Sequence, residues 1–262
     1  MTATTLPRRE RAFVLAGLAG ATALAWFYLF WMAGSMAQNP ESMSDGMQSM
    51  ANAAGPHVAA WSPLDWTMMF VMWAIMMVGM MLPSATPNIL LFAAVRRKQN
   101  AKGHAIAPVW AFVAGYLAAW TVFSVGATVL QWGLERLALL NPMMATTSAA
   151  LGGAVLIATG LYQLSPVKNR CLEHCRSPIE YLAAHWRPGV AGANRMGFEH
   201  GLYCIGCCWP LMGLLFVGGV MNLLWVAAIT AFVLAEKVAP HGHVVRRVAA
   251  VILIVWGGAT FF

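Results

Sequence analysis

LDWTMMFVMWAIMMVGMMLPSATPNILLFAAV, residues Leu64–Val95, is the stretch on which the fold turns. It carries a single charge, Asp65, and is longer than the roughly 20 apolar residues a helix needs to cross a bilayer core. Similar windows recur along the chain, at Ala12–Met32, Pro108–Trp132, Thr146–Leu164, His200–Gly219, Met221–Glu236 and Val244–Phe262. Together they predict an all-α, polytopic transmembrane helical bundle of about seven spans, built as a single membrane domain over residues 1–262. Pro83 and Pro87 predict a break or kink in the second span, because proline removes a helix donor. The fifth and sixth windows are joined by a turn near Gly218–Asn222, and the sixth is short. Asp65 is expected to cap an outer helix N-terminus.

Composition agrees. Hydrophobic residues make up 60% of the 262 and charged residues only 10%, against about 25% charged in soluble domains. A chain with so few charges cannot cover a soluble surface. The net charge of +7 does not point to nucleic acid, because Lys and Arg sit in short loops between apolar windows, where they set orientation. With the N-terminus in the cytoplasm, all of them except Arg136 fall on the cytoplasmic side, including Arg8, Arg9, Arg96, Arg97, Lys168, Arg170, Arg246 and Arg247. The reading is therefore N-in and C-out, in a bacterial cytoplasmic (inner) membrane with lipid as its first partner. The first window exceeds the about 7–15 residues of a signal-peptide core, so an uncleaved helix is expected. Small residues at Ala111, Gly115 and Ala119, and at Ala149 and Gly153, suit close helix packing.

All five cysteines lie between Cys171 and Cys208, in two clusters. Cys171 and Cys175, with His174 between them, fall in a cytoplasmic Cys/His-containing loop, residues 165–199. His200, Cys204, Cys207 and Cys208 follow at the cytoplasmic start of the fifth span. On a helix, Cys171 and Cys175 share a face, as do Cys204 and Cys208. Two such faces meeting would form a four-thiolate pocket, in which His174 or His200 could replace a sulfur. Four thiolates suit zinc or an iron–sulfur cluster, whereas fewer soft ligands suit Cu(I). A Cys-x-x-Cys spacing at Cys204 and Cys207 also serves thiol–disulfide chemistry, and cysteines can simply pack.

Methionine is the other soft ligand, at 18 residues. Met69, Met72, Met76 and Met80 recur at helical spacing along one face of the second span. Met43, Met47 and Met50 lie in an external Met-rich loop, residues 33–63, among Ser, Asp, Gln and Asn. Met72, Met76 and Met80 together with Met43, Met47 and Met50 are candidates for outer metal capture, although thioethers also fill irregular cores. Glu236 and Lys237 fall at the end of a window, where snorkelling and local pairing at the interface are expected. Tyr162 and Gln163 are expected to hydrogen-bond within the bundle, and His241 and His243 form a weak ligand pair. No phosphate-binding loop or nucleophile elbow is present, and no catalytic residue is assigned.

Three runs carry a family resemblance. Trp73 to Pro87 contains M-M-V-G-M-M-L-P-S-A-T-P; Tyr162-Gln163 is followed by Pro166, Lys168, Cys171, Cys175, Arg176, Ser177 and Pro178; and Gly201 leads to Cys204, Gly206, Cys207, Cys208, Trp209 and Met212, with Glu236-Lys237 beyond. The chain resembles the bacterial family of predicted metal-binding integral membrane proteins, a domain of unknown function, over roughly residues 60–240. The resemblance implies a metal-binding membrane protein. The soft ligands favour copper, with zinc or iron as alternatives, and a metal donor or membrane complex as partner. A thiol-redox or metallocluster protein, or a structural subunit, remain the alternative readings.

Overall fold

Ser62 and Asp65 begin the longest helix with a reciprocal cap. The Ser62 N–H and Oγ–H each donate to Asp65 Oδ2 at 2.8 Å, and the Asp65 N–H donates to Ser62 Oγ at 3.3 Å. The expected capping role of Asp65 is thus met, with a serine partner that satisfies otherwise orphaned donors. The computed structural model describes residues 6–38, 61–101, 108–141, 144–176, 182, 186–239 and 242–261. Its helices are α1 (Arg8–Gln38), α2 (Pro63–Ala101), α3 (Val109–Arg136), α4 (Ala149–Leu164), α5 (Pro166–Arg176), α6 (Gly189–Gly213), α7 (Leu215–Gly218), α8 (Leu223–Val238) and α9 (Gly242–Ala259). Among the described residues the only β pairing is one antiparallel bridge between Leu140 and Thr146.

Of the break or kink expected near Leu82–Pro87, the break does not occur: Pro83 and Pro87 both lie inside continuous α2. Each proline leaves the carbonyl four residues earlier without its N–H partner. Gly79 O, freed by Pro83, accepts instead from Trp26 Nε1 of α1 at 3.3 Å. The same arrangement recurs in α6, where Pro210 frees Gly206 O and the Tyr162 hydroxyl donates to it at 2.5 Å. For Pro83 and Pro210 a neighbouring helix supplies the donor, so the chain stays helical there where water is excluded. Tyr162 therefore bonds within the bundle as expected, whereas both amide atoms of buried Gln163 lack a hydrogen-bond partner.

Glycine sets the tightest helix contacts. A Cβ at Gly115 of α3 would collide with the Asn194 carbonyl of α6, one at Gly197 would collide with the Phe112 carbonyl, and one at Gly201 would lie 2.6 Å from Ala119 Cβ. On the other flank, a Cβ at Gly160 of α4 would lie 2.9 Å from Ala250 O, and one at Gly257 of α9 would lie 2.8 Å from Gly153 O. These pairs, α3 with α6 and α4 with α9, are the most extensive contacts. Ala149 is exposed, so the α4 surface is carried by Gly153 and Gly160. Such close approach suits bundles in which packing, more than the hydrophobic effect, holds helices together.

Among the described residues, five helical segments are long and apolar enough to cross a membrane: Arg8–Gly34, Pro63–Asn100, Val109–Arg136, Gly189–Gly218 and Gly242–Ala259. The pair Ala149–Leu164 and Pro166–Arg176, bent by 64°, would make up to six. Seven spans were expected, and each of the seven windows does hold a helix. However, α4 and α8 have 16 residues each, about 24 Å at the α-helical rise, which is short of a core about 30 Å thick. The expected turn lies where predicted, with Gly219 at φ +90° and Asn222 capping α8 by accepting from Trp225 N–H. The segment 165–199, read as a loop, is largely helical: α5 fills its start, and α6 begins at Gly189, eleven residues before the window expected at His200.

Candidate metal centre

The α6 helix carries three of the five thiols. Cys204, Cys207 and Cys208 are all buried, which leaves their S–H groups without water. The helix supplies the partner: Cys207 Sγ and Cys208 Sγ donate to Cys204 O at 3.1 and 2.9 Å. Both bonds turn the sulfurs back toward the preceding turn, beside Cys204. Cys175, buried at the end of α5, brings a fourth thiol close to those of Cys204 and Cys207. The expectation that the two clusters share one end of the bundle is met for Cys175, Cys204, Cys207 and Cys208.

Cys204 is the hub. Lys237 Nζ, from the end of α8, donates to its sulfur at 2.9 Å and to Ser84 Oγ of α2 at 3.0 Å. The Tyr116 hydroxyl of α3 lies 3.2 Å from the same sulfur and 3.2 Å from Met81 O. Residues of α2, α3, α5, α6 and α8 thus converge on one sulfur. Tyr116 and Lys237 are 0% and 9% exposed, so the ammonium is a cation held inside the protein, and its neighbours must satisfy it.

Three expected ligands lie apart from this hub. Cys171 is half-buried, and its sulfur packs on Gly206, where a Cβ would come within 2.9 Å. His174 stacks on Tyr203 at 4.3 Å, with ring planes 7° apart, and its Nδ1 lies 2.8 Å from Arg170 O. His200 is buried next to Tyr116, 5.9 Å between ring centroids, and its Nε2 lies 2.8 Å from Asn88 Nδ2. The same Asn88 nitrogen donates to Cys175 O at 3.1 Å, so Asn88 ties His200 to the thiol end. Among the described residues, no group of three or more His, Cys, Asp or Glu is arranged to hold a metal ion. The thiols are free, and Cys207 and Cys208 donate to the Cys204 carbonyl, so they are not spread as a tetrahedral four-thiolate site.

Glu236 and Lys237 overturn the expectation of an interfacial, snorkelling pair. Glu236 is 1% exposed. Lys168 Nζ of α5 lies 2.8 Å from both of its carboxylate oxygens, hydrogen-bonded to Oε2 and ion-paired with Oε1. The reason is that α5 folds across the end of α8 and covers it. Sequence reading missed Lys237, Tyr116, Ser84 and Asn88 as partners of the site. Their one signal was two adjacent ionisable residues closing an otherwise apolar window.

The methionine candidates divide. Met72, Met76 and Met80 are buried in the core beside Trp73 and Leu82 and do not form a surface patch. Met43, Met47 and Met50 lie outside the described residues, as does His241, while His243 is exposed.

A family model described as PpoB2, copper chaperone, matches residues 70–260, about three-quarters of the chain. No curated protein and no solved structure matches.

Proposed function

The chain belongs to the copper-chaperone family, and we propose on that premise that it carries Cu(I) on the thiols around Cys204. The observation behind this is the convergence of four buried thiols with one buried ammonium. Thiolate sulfur is the soft donor that selects Cu(I) over hard cations. Two thiolates and one Cu(I) carry a net charge of −1, which a low-dielectric interior penalises unless it is matched. The Lys237 ammonium, already at hydrogen-bond distance from Cys204, supplies the matching charge. We assign Cys175 and Cys204 as the first ligand pair, with Cys207 and Cys208 adjacent as exchange ligands. Cys171, His174 and His200 complete the set of candidate ligands, and His200 must release Asn88 to take part.

The bundle is read as integral to a bacterial inner membrane, with the N-terminus and the thiol end on the cytoplasmic side. A metal donor or acceptor then meets the protein there. Handover needs only ligand exchange, one thiolate at a time, so no redox step is involved. This favours copper over zinc, whose structural sites take four ligands in a tetrahedron.

The test is anaerobic Cu(I) titration of the full-length protein in detergent, against a chromogenic Cu(I) chelator. Copper, zinc and iron contents are measured by mass spectrometry. The expected result is bound Cu(I) with an ultraviolet thiolate-to-copper charge-transfer band, absent from C175S/C204S/C207S/C208S. A wild-type protein with no such band, or a band that survives in the quadruple variant, would sink the reading.

A further inference from the structure

At the opposite end of the bundle, two more sulfurs converge. Gln131 of α3 is fully buried. Its Oε1 accepts from Trp73 Nε1 at 2.7 Å, and its Nε2 donates to Glu135 Oε1 at 2.8 Å. That same Nε2 lies 3.5 Å from Met69 Sδ and 3.3 Å from Met144 Sδ. An amide nitrogen has only two hydrogens, and one is committed to Glu135. The two thioethers therefore share what remains, both within contact of one nitrogen. Met69 comes from the start of α2 and Met144 from the connection between α3 and α4, so two separate elements deliver them.

Met144 is placed against its own backbone preference. It sits at φ +55°, in the left-handed region that side chains other than Gly, Asn and Asp rarely adopt. The described residues flanking it hold it there. Met144 N–H donates to Asn141 O and Asn141 N–H to Ala145 O, each at 2.8 Å, and Ala145 N–H donates to Asn141 Oδ1 at 3.0 Å. Thr146 N–H then pins the segment to Phe216 O at 2.7 Å. A strained residue in an over-determined turn is a recurrent feature of ligand-holding sites, and here the strain directs a thioether into the interior.

We propose that Met69 and Met144 form a second, thioether-only Cu(I) site, at which the ion is loaded before it reaches the thiols. The copper reading above is the ground this rests on. Thioethers are neutral, so Cu(I) between them brings a charge of +1. The Glu135 carboxylate, next to Gln131 and held by Trp61 Nε1 at 3.0 Å, offers the balancing charge. Gln131 occupies the point between the sulfurs when copper is absent and is displaced on binding. Met69 is only half-buried, which leaves an approach from the surface. From there Met72, Met76 and Met80 continue along the same face of α2. Met81, whose carbonyl accepts from the Tyr116 hydroxyl beside Cys204, closes the line. Twelve residues separate Met69 from Met81, about 18 Å of helix.

The same anaerobic Cu(I) titration tests this on the full-length protein. M69L/M144L is expected to bind one equivalent fewer than wild type while keeping the thiolate charge-transfer band, and the core control Met77→Leu is expected to keep both. C175S/C204S/C207S/C208S is expected to lose the band yet retain one equivalent, which disappears when M69L/M144L is added. An unchanged equivalent in M69L/M144L overturns the thioether site. Loss of that equivalent in a protein whose wild type shows no thiolate band overturns the thiol reading instead, so the two failures are distinguishable. Wild-type protein labelled at its methionine methyl carbons gives a second readout on the unaltered site, for which only the assignment uses single variants. Cu(I) is expected to shift two methyl resonances, one assigned by its absence in M69L and the other in M144L; no shift, or a shift of other methionines only, overturns the proposal.

Discussion

Lys237 is the residue whose chemistry separates a metal centre from a set of packed cysteines. Its ammonium is 9% exposed and donates to Cys204 Sγ at 2.9 Å and Ser84 Oγ at 3.0 Å. Hydrogen bonds to charged groups are worth about 1.5–3 kcal/mol. Lys237→Met, which keeps the apolar stem and removes the charge, is therefore expected to weaken Cu(I) binding at the thiols roughly ten- to hundred-fold. Chelator competition reads this directly; an unchanged affinity would show that the ammonium plays no part in balancing the site. Lys237→Arg is not expected to restore it, because a planar guanidinium cannot take the place of a compact ammonium between Ser84 and Cys204. The thiols themselves were legible in the sequence, since Cys171–Cys175 and Cys204–Cys208 declare themselves by helical spacing. Lys237 and Tyr116 were not. They lie 33 and 88 positions from Cys204, and contacts at that separation leave no periodicity to read. Met144 escaped for a different reason: its placement depends on a left-handed backbone, which the residue type argues against.

At the scale of elements, the buried pair Lys168–Glu236 joins α5 to the end of α8, with side chains 1% and 2% exposed. Removing one member of such a pair leaves an unmatched charge inside and typically costs about 3–5 kcal/mol, whereas replacing both with apolar residues is often neutral or stabilising. Glu236→Gln is accordingly expected to lower the thermal unfolding midpoint in detergent by several degrees, and Lys168→Met with Glu236→Leu to recover most of that loss. A double variant no better than the single would mean that the pair orders α5 and α8 in a way that apolar packing cannot replace. The helices were largely legible, because unbroken apolar windows and capping residues such as Asp65 and Asn222 are local signals. Two features were not. Pro83 within α2 predicts a break from local chemistry alone, and the remedy, Trp26 Nε1 on Gly79 O, arrives from another helix. Glu236 and Lys237 looked interfacial because they end a window, and only the bend of 64° between α4 and α5 folds a cover over them.

For the molecule as a whole, the contacts group the segments as the charge pattern sorts them. Arg176 Nη2 donates to Ala239 O at 2.6 Å, Arg246 pairs with Asn169, and Lys168 pairs with Glu236. These residues come from two segments read as cytoplasmic, and they meet at the thiol end. Trp61 with Glu135, and Thr146 with Phe216, join segments read as external at the other end. Arg136, alone on that side, lies 4.9 Å from the centroid of the Trp132 ring, where a cation–π contact compensates an isolated cation. The proposed orientation keeps the basic loops in the cytoplasm with the N-terminus inside, and an odd number of spans would then put the C-terminus outside. The short helices α4 and α8 decide the number. At 16 residues each they fall a turn or so short of the core, a mismatch that local thinning or flanking residues absorb at modest cost. A reporter active only outside the cytoplasm is therefore expected to be active when fused after Phe262 and inactive at the N-terminus. Inserted at Ser165, between α4 and α5, it is expected to be inactive if α4 crosses, giving seven spans. Activity at Ser165 together with activity at Phe262 would reduce the count to five, and inactivity at Phe262 would leave six.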